Sequence, residues 1–237
     1  MSSGTNPTSE WSAKDYTDIG SFVPVLGSAV LDLLDPQPGE RILDLGCGDG
    51  ALTERIVGRG ADVVGVDASA ELLKVARGRG LDVRLGSGEQ LNFNAEFDAV
   101  FSNAALHWML DPQAVATGVY TALQPGGRFV AEMGGFGNIA AVATALRAVM
   151  AAHDYAGVDP GQFYPTVEQY EQLATAVGFT DFRGELIPRP TPLATGMADW
   201  LRTFRQGFLD HHKVSVDEQV QIINETVELL RPSLCDF

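Results

Sequence analysis

A chain of 237 residues can bury about three quarters of its unfolded surface around one core, so it needs no metal or disulfide to fold. Its formal net charge of −15 works against nucleic acid or an anionic membrane as a partner. Its two cysteines, Cys47 and Cys235, lack metal-ligand spacing and suit a reduced, cytoplasmic protein.

Residues 1–20 read as a mobile arm, polar apart from Trp11 and Tyr16, with neither the basic nor the apolar part of a signal peptide. No stretch approaches ~20 consecutive apolar residues, so no membrane span is expected. Phe22, Val25, Leu26, Val30 and Leu33 recur at helical spacing over 22–34, and Pro36 and Pro38 end that helix. Strands and helices then alternate. Ile42–Leu45, Val63–Val66, Val83–Leu85 and Phe97–Phe101 are short apolar strands, and Ala51–Val57 and Ala70–Arg77 are helices. Asp111-Pro112 caps a further helix with Val115, Val119 and Leu123 on its apolar face. Pro125-Gly126-Gly127 turns the chain into a fifth strand, Arg128–Met133. Such β–α repeats with short connections predict an α/β fold, a Rossmann-like, doubly wound and mostly parallel sheet.

The remainder is mostly helical. Ile139, Val142, Leu146, Val149 and Met150 form one stripe, and Met197, Trp200, Leu201, Phe204 and Phe208 another. Thr166-x-x-Gln169 and Ser215-x-x-Glu218 read as capping boxes. Phe179–Ile187 reads as a sixth strand. Pro232 is expected to end the last helix, leaving too few residues for another interior strand. Either a six-stranded sheet or a shortened chain follows, with a sheet edge that favours self-association, in a monomer or weak homodimer. The domain reading is an arm or lid over 1–20 and one domain over 21–237. Its cofactor core covers about 36–135, and a helical cap over the active site is drawn mainly from 136–165 and 190–237.

The densest chemistry lies in Asp44-Leu45-Gly46-Cys47-Gly48-Asp49-Gly50, at the first strand-to-helix turn, where doubly wound sheets bind ligands. Glycines there permit a tight turn and let a ligand approach the backbone. Asp67 follows at the end of the second strand, placed to accept from both ribose hydroxyls of an adenosine. The spacing differs from the Gly-x-Gly-x-x-Gly of dinucleotide sites. Asp44 beside the turn would repel a pyrophosphate and attract a cation. A nicotinamide oxidoreductase, which would also want a Tyr-x-x-x-Lys pair, is therefore disfavoured.

This turn resembles motif I of class I S-adenosylmethionine-dependent methyltransferases, and Val64-Gly65-Val66-Asp67-Ala68-Ser69 resembles their next motif. Gly86-Ser87-Gly88-Glu89-Gln90 is similar to the segment along the adenine, with Ser87 where many relatives carry Asp. Phe97 to Trp108 resembles their fourth strand and the loop facing the methyl group. Ala105-Leu106-His107-Trp108, with Trp11 and Tyr16, resembles the trans-aconitate methyltransferase-like group. The resemblance implies S-adenosyl-L-methionine as cofactor and S-adenosyl-L-homocysteine as product. It implies a donor site of Asp44, Gly46, Cys47, Gly48, Asp67, Ala68, Ser87, Gly88, Glu89, Asn103 and Ala104, with Trp11 and Tyr16 from the arm.

His107 is the catalytic candidate, able to orient a carboxylate or to accept a proton. Trp108, Phe136, His153, Tyr164, Arg189, Trp200 and Phe204 are candidates for contact with a small-molecule acceptor. His211-His212 has no third ligand at metal spacing, so no metal is expected. The function this implies is methylation of a small molecule, on oxygen, with a carboxylate as one target. The alternative is a cofactor-binding regulatory protein without turnover.

Overall fold

The computed structural model describes residues 27–155 and 161–234. Trp11, Tyr16 and the expected arm lie outside the described residues. Helix α1 (Ser28–Leu34) precedes strand β1 (Arg41–Leu45). Then come α2 (Ala51–Val57), β2 (Asp62–Asp67), α3 (Ala70–Gly78) and β3 (Asp82–Leu85). Strand β4 (Phe97–Asn103), α4 (Pro112–Ala122) and β5 (Leu123–Glu132) follow. The last helices are α5 (Ala140–Ala152), α6 (Val167–Val177), α7 (Met197–His211) and α8 (Val216–Leu234).

The five strands form one sheet in the order β3-β2-β1-β4-β5, every pair parallel. Alternation along β1 explains why helices cover both faces. Leu43 and Leu45 pack with Val115 and Val119 of α4, while Ile42 packs with Leu31 of α1 and Ile56 of α2. Asp44 lies on the Ile42 side, which turns its carboxylate toward α2. Order 2-1-4 places the switch in winding direction at β1, so a crevice opens at its carboxyl end.

The chain divides into two compact units. Among the described residues, the sheet unit takes in 27–136 and 162–187; within it Tyr170 of α6 and Phe179 pack on the α4 side of the core. The helical unit takes in, among the described residues, 137–155, 161 and 188–234; α5, α7 and α8 there share a core of Val142, Leu146, Met150, Leu201, Leu209, Ile222 and Ile223. Both capping boxes are formed. Thr166 and Gln169 exchange side-chain and backbone bonds at the start of α6, and Ser215 and Glu218 do so before α8.

Three expectations are corrected. Phe179–Ile187 forms no strand: Phe179 N–H is tied back to Ala174 of α6, and Asp181 takes a left-handed φ of 56° that breaks the extended run. The sheet therefore has five strands among the described residues, with β5 at its edge. Pro125-Gly126-Gly127 does not precede β5 but bulges within it, because Leu123 already pairs with Phe97 and Arg128 pairs with Ala99. Pro232 sits inside α8, which runs on to Leu234. Among the described residues no helix is long and apolar enough to cross a membrane.

Candidate active site

The carboxyl ends of β1 to β4 bring the predicted donor residues to one edge of the sheet. Gly46 and Gly48 adopt φ of 77° and 56°, a left-handed turn that side chains resist, and Gly50 follows at 80° as N-cap of α2. Gly46 has a second reason to be glycine: a Cβ there would meet the Ala105 Cβ at 2.2 Å. Around Gly48 a Cβ would meet nothing within 4 Å, so this backbone faces open space. The turn thus presents bare main chain at the switch point.

Two acids flank it. Asp67 Oδ2 accepts from Gly48 N–H at 2.9 Å and Oδ1 accepts from Ser69 N–H at 2.8 Å, so the carboxylate locks the loops after β1 and β2 together. Burial raises the Asp67 carboxyl above its ordinary range, against the N–H groups of Ser69, Gly48 and Ala68 that favour the charge. Asp44 is 2% exposed and accepts from the Thr53 hydroxyl at 2.7 Å. Burial pushes its carboxyl up to about 7; the Thr53 bond opposes this and the Asp67 charge adds to it. Neither acid has a lysine or arginine partner among the described residues. A buried and a half-buried carboxylate without a counter-ion suit a cation and repel a phosphate. Burial, together with the charges of Asp44 and Asp67, also raises the Cys47 thiol, which therefore stays protonated and unreactive.

After β3, Gly86 N–H bonds Asp67 O at 3.0 Å, and Ser87 Oγ caps a short 3₁₀ turn over Gly88–Gln90. Gly88 is buried against Met109. Glu89 is already engaged: its Oε1 accepts from Leu110 N–H at 2.7 Å and Asp111 N–H at 3.1 Å. At the end of β4, Asn103 carries a buried Oδ1 that accepts no bond among the described residues. A buried acceptor without a donor is costly, which marks this oxygen as one a ligand can satisfy. Ala104 next to it takes a φ of 56° and bonds Glu132. Bare glycine main chain, two acids without a cationic partner and an orphaned amide oxygen fit the donor that the sequence implies.

His107 lies in a 3₁₀ turn, Leu106–Trp108, and is 9% exposed. Its Nδ1 accepts from Gly134 N–H at 3.2 Å, so the neutral ring carries its proton on Nε2. The ring stacks on Tyr164 at 5.6 Å between centroids and touches Trp108 at 5.2 Å. Phe136 is 64% exposed and its N–H bonds Pro165 O. His107, Trp108, Phe136 and Tyr164 all belong to the sheet unit. His153, Arg189, Trp200 and Phe204 belong to the helical unit. There His153 Nε2 meets Glu225 at 3.0 Å, Trp200 stacks near Phe204 at 5.3 Å, and the Arg189 carbonyl accepts from the Thr191 hydroxyl. Sequence reasoning missed Thr53 and Gly134, the residues that orient Asp44 and His107. Thr53 had a usable signal, a hydroxyl in the first turn after the glycine loop.

A doubly wound parallel sheet with this loop at its switch point is the Rossmann-like architecture of enzymes that bind an adenosyl group. Residues 43–131 match the family model for a methyltransferase domain. An uncharacterized methyltransferase of Schizosaccharomyces pombe is 38% identical over 234 residues, covering 93% of this chain and 88% of that protein. The chain therefore belongs to the S-adenosylmethionine-dependent methyltransferases. The ubiquinone biosynthesis O-methyltransferase of Xylella fastidiosa is 40% identical over 101 residues, covering 39% of this chain and 41% of that protein. Among solved structures, phosphoethanolamine N-methyltransferase 2 of Haemonchus contortus, in complex with phosphomonomethylethanolamine and S-adenosylhomocysteine, superposes with a TM-score of 0.63. It shares 23% identity and covers 93% of this chain and 53% of that one. The protein is an enzyme that takes its methyl group from S-adenosylmethionine.

Proposed function

We propose that this enzyme methylates an oxygen of a small acceptor, that the acceptor is a carboxylate, and that the protein lies with the trans-aconitate methyltransferase-like group. When bound, the donor supplies a methyl group on a positively charged sulfur that leaves as a neutral thioether. The protein is left to hold the donor, align the nucleophile and exclude water. Asp67 would hold the ribose hydroxyls, Asp44 the cationic amino-acid end, and Ser87 with Gly88 the adenine side.

The observation that carries the acceptor reading is the Gly134 N–H on His107 Nδ1. It makes His107 a hydrogen-bond donor through Nε2 rather than a proton acceptor. A donor suits an acceptor that is already an anion; a neutral alcohol would want a base. A carboxylate is charged at neutral pH and needs no deprotonation. The overlap with an O-methyltransferase supports oxygen as the target atom.

The test is turnover with isotopically labelled donor against a panel of small carboxylic acids, phenols and amines. The expected product is a methyl ester, which alkali hydrolyses. Transfer to phenols or amines alone, with every acid inert, overturns the proposal.

A further inference from the structure

Glu89 sits on the donor side of the site, yet the only hydrogen bonds its carboxylate makes among the described residues run to the acceptor side. Its Oε1 gathers the main-chain N–H groups of Leu110 and Asp111, at 2.7 and 3.1 Å. Those amides follow the His107 turn within a few residues and lie just ahead of α4, whose N-cap is Asp111. Asp111 is spent on its own capping bond to Ala114 N–H, so it does not replace Glu89.

The same loop is pinned at two more points. Met109 packs so closely over Gly88 that a Cβ there would lie 2.5 Å from its sulfur. Ala105 abuts Gly46 just as tightly. Residues 104–111 are therefore clamped to the glycine turn at one end and to the Ser87–Glu89 turn at the other. His107 stands between the clamps, and its ring is held by Gly134 and Tyr164.

We infer that Glu89 is a positioning residue: it ties the turn beside the donor's adenine to the loop bearing His107, so that donor binding sets the histidine in place. This rests on the donor site proposed above. It assigns Glu89 a different task from that of an adenine ligand. The carboxylate is the right length to span the two loops and accepts from two amides of the far one; removing it would leave those exposed amides to water and cut the tie between the loops.

The histidine itself supplies a readout that needs no acceptor. With 15N-labelled histidine, the ring nitrogens of the four histidines are followed by NMR, and His107→Gln identifies the His107 signals. Adenosylhomocysteine is the probe, and calorimetry runs alongside. In the wild type, the probe should bind and shift the His107 nitrogens. Glu89→Gln keeps the length and an accepting oxygen, and should keep the response. Glu89→Asp keeps the charge but falls one methylene short, and should lose the response. Its affinity should fall by less than about tenfold, the least expected for a lost charge-assisted bond to the ligand itself.

A wild-type response in Glu89→Asp, no response in Glu89→Gln, or no response in the wild type despite binding overturns the inference. So does an affinity loss in Glu89→Asp well beyond tenfold, which would make Glu89 a ligand of the donor. Absence of binding to the wild type strikes instead at the donor site.

Discussion

Asp44 gives the sharpest handle on the donor site, because its charge is deeply buried and its counter-ion is expected to be the ligand. Burial moves this carboxyl from 3.8 to about 7. At about 1.4 kcal/mol for each pH unit, keeping it ionised above pH 7 costs the free protein about 4 kcal/mol. The sign follows from proton counting. Between pH 4 and 7 the folded chain binds a proton at Asp44 that the unfolded chain releases, so rising pH destabilises the fold through that window and levels off above it. Asp44→Asn keeps the acceptor for the Thr53 hydroxyl and removes the charge. In thermal melts without ligand, the variant should therefore match the wild type near pH 4 and outlast it at pH 8. At roughly 2–4 °C per kcal/mol for a chain of this size, the gap at pH 8 should approach ~10 °C. Donor binding should run the other way. Only the carboxylate attracts the cationic end, so wild-type affinity for adenosylhomocysteine should rise up to about pH 7. That rise should vanish in Asp44→Asn, which should bind more weakly at pH 8. Parallel melting curves for the two proteins from pH 4 to 8, or an equal pH dependence of their binding, would refute the reasoning.

If His107 orients the acceptor as proposed, His107→Gln should lower kcat/KM for the acceptor while calorimetry finds adenosylhomocysteine affinity unchanged; a loss confined to donor affinity would contradict this. Gly46→Ala should fail to fold or melt far lower, because its Cβ would overlap Ala105 and its φ is 77°. Gly48→Ala meets open space and should cost only about 1 kcal/mol in a melt from its left-handed backbone. Donor binding should nevertheless collapse in it, because the new methyl stands on the face that receives the ligand; tight binding by Gly48→Ala would refute that assignment.

Much of this was legible from local pattern. The apolar runs of β1 to β4, the glycine turn and the acids that follow it lie within short windows, and the buried parallel strands read as continuous apolar segments. Caps at Asp111, Thr166 and Ser215 were readable because each bonds within four residues of itself. What escaped depends on distant partners. Whether Phe179–Ile187 becomes a strand depends on pairing at the β5 edge and on the backbone at Asp181, neither of which its composition encodes. The tautomer of His107 is set by Gly134, 27 residues away, and His153 is engaged by Glu225, 72 residues away. Glu89 looked like an adenine contact by position alone. Its bonds to Leu110 and Asp111 appear only once the turn after β3 and the start of α4 are brought side by side.

The central claim is that the loop after β1 and the acid after β2 form one site for the methyl donor. Calorimetric titration of the wild type and Asp67→Ala with adenosylhomocysteine tests it most directly, with a melt to show that the variant remains folded. Asp67 would lose two bonds to ribose, each worth about 1.5–3 kcal/mol. The account predicts binding by the wild type and a loss of at least a hundredfold in Asp67→Ala. Equal affinity in the two folded proteins would contradict it.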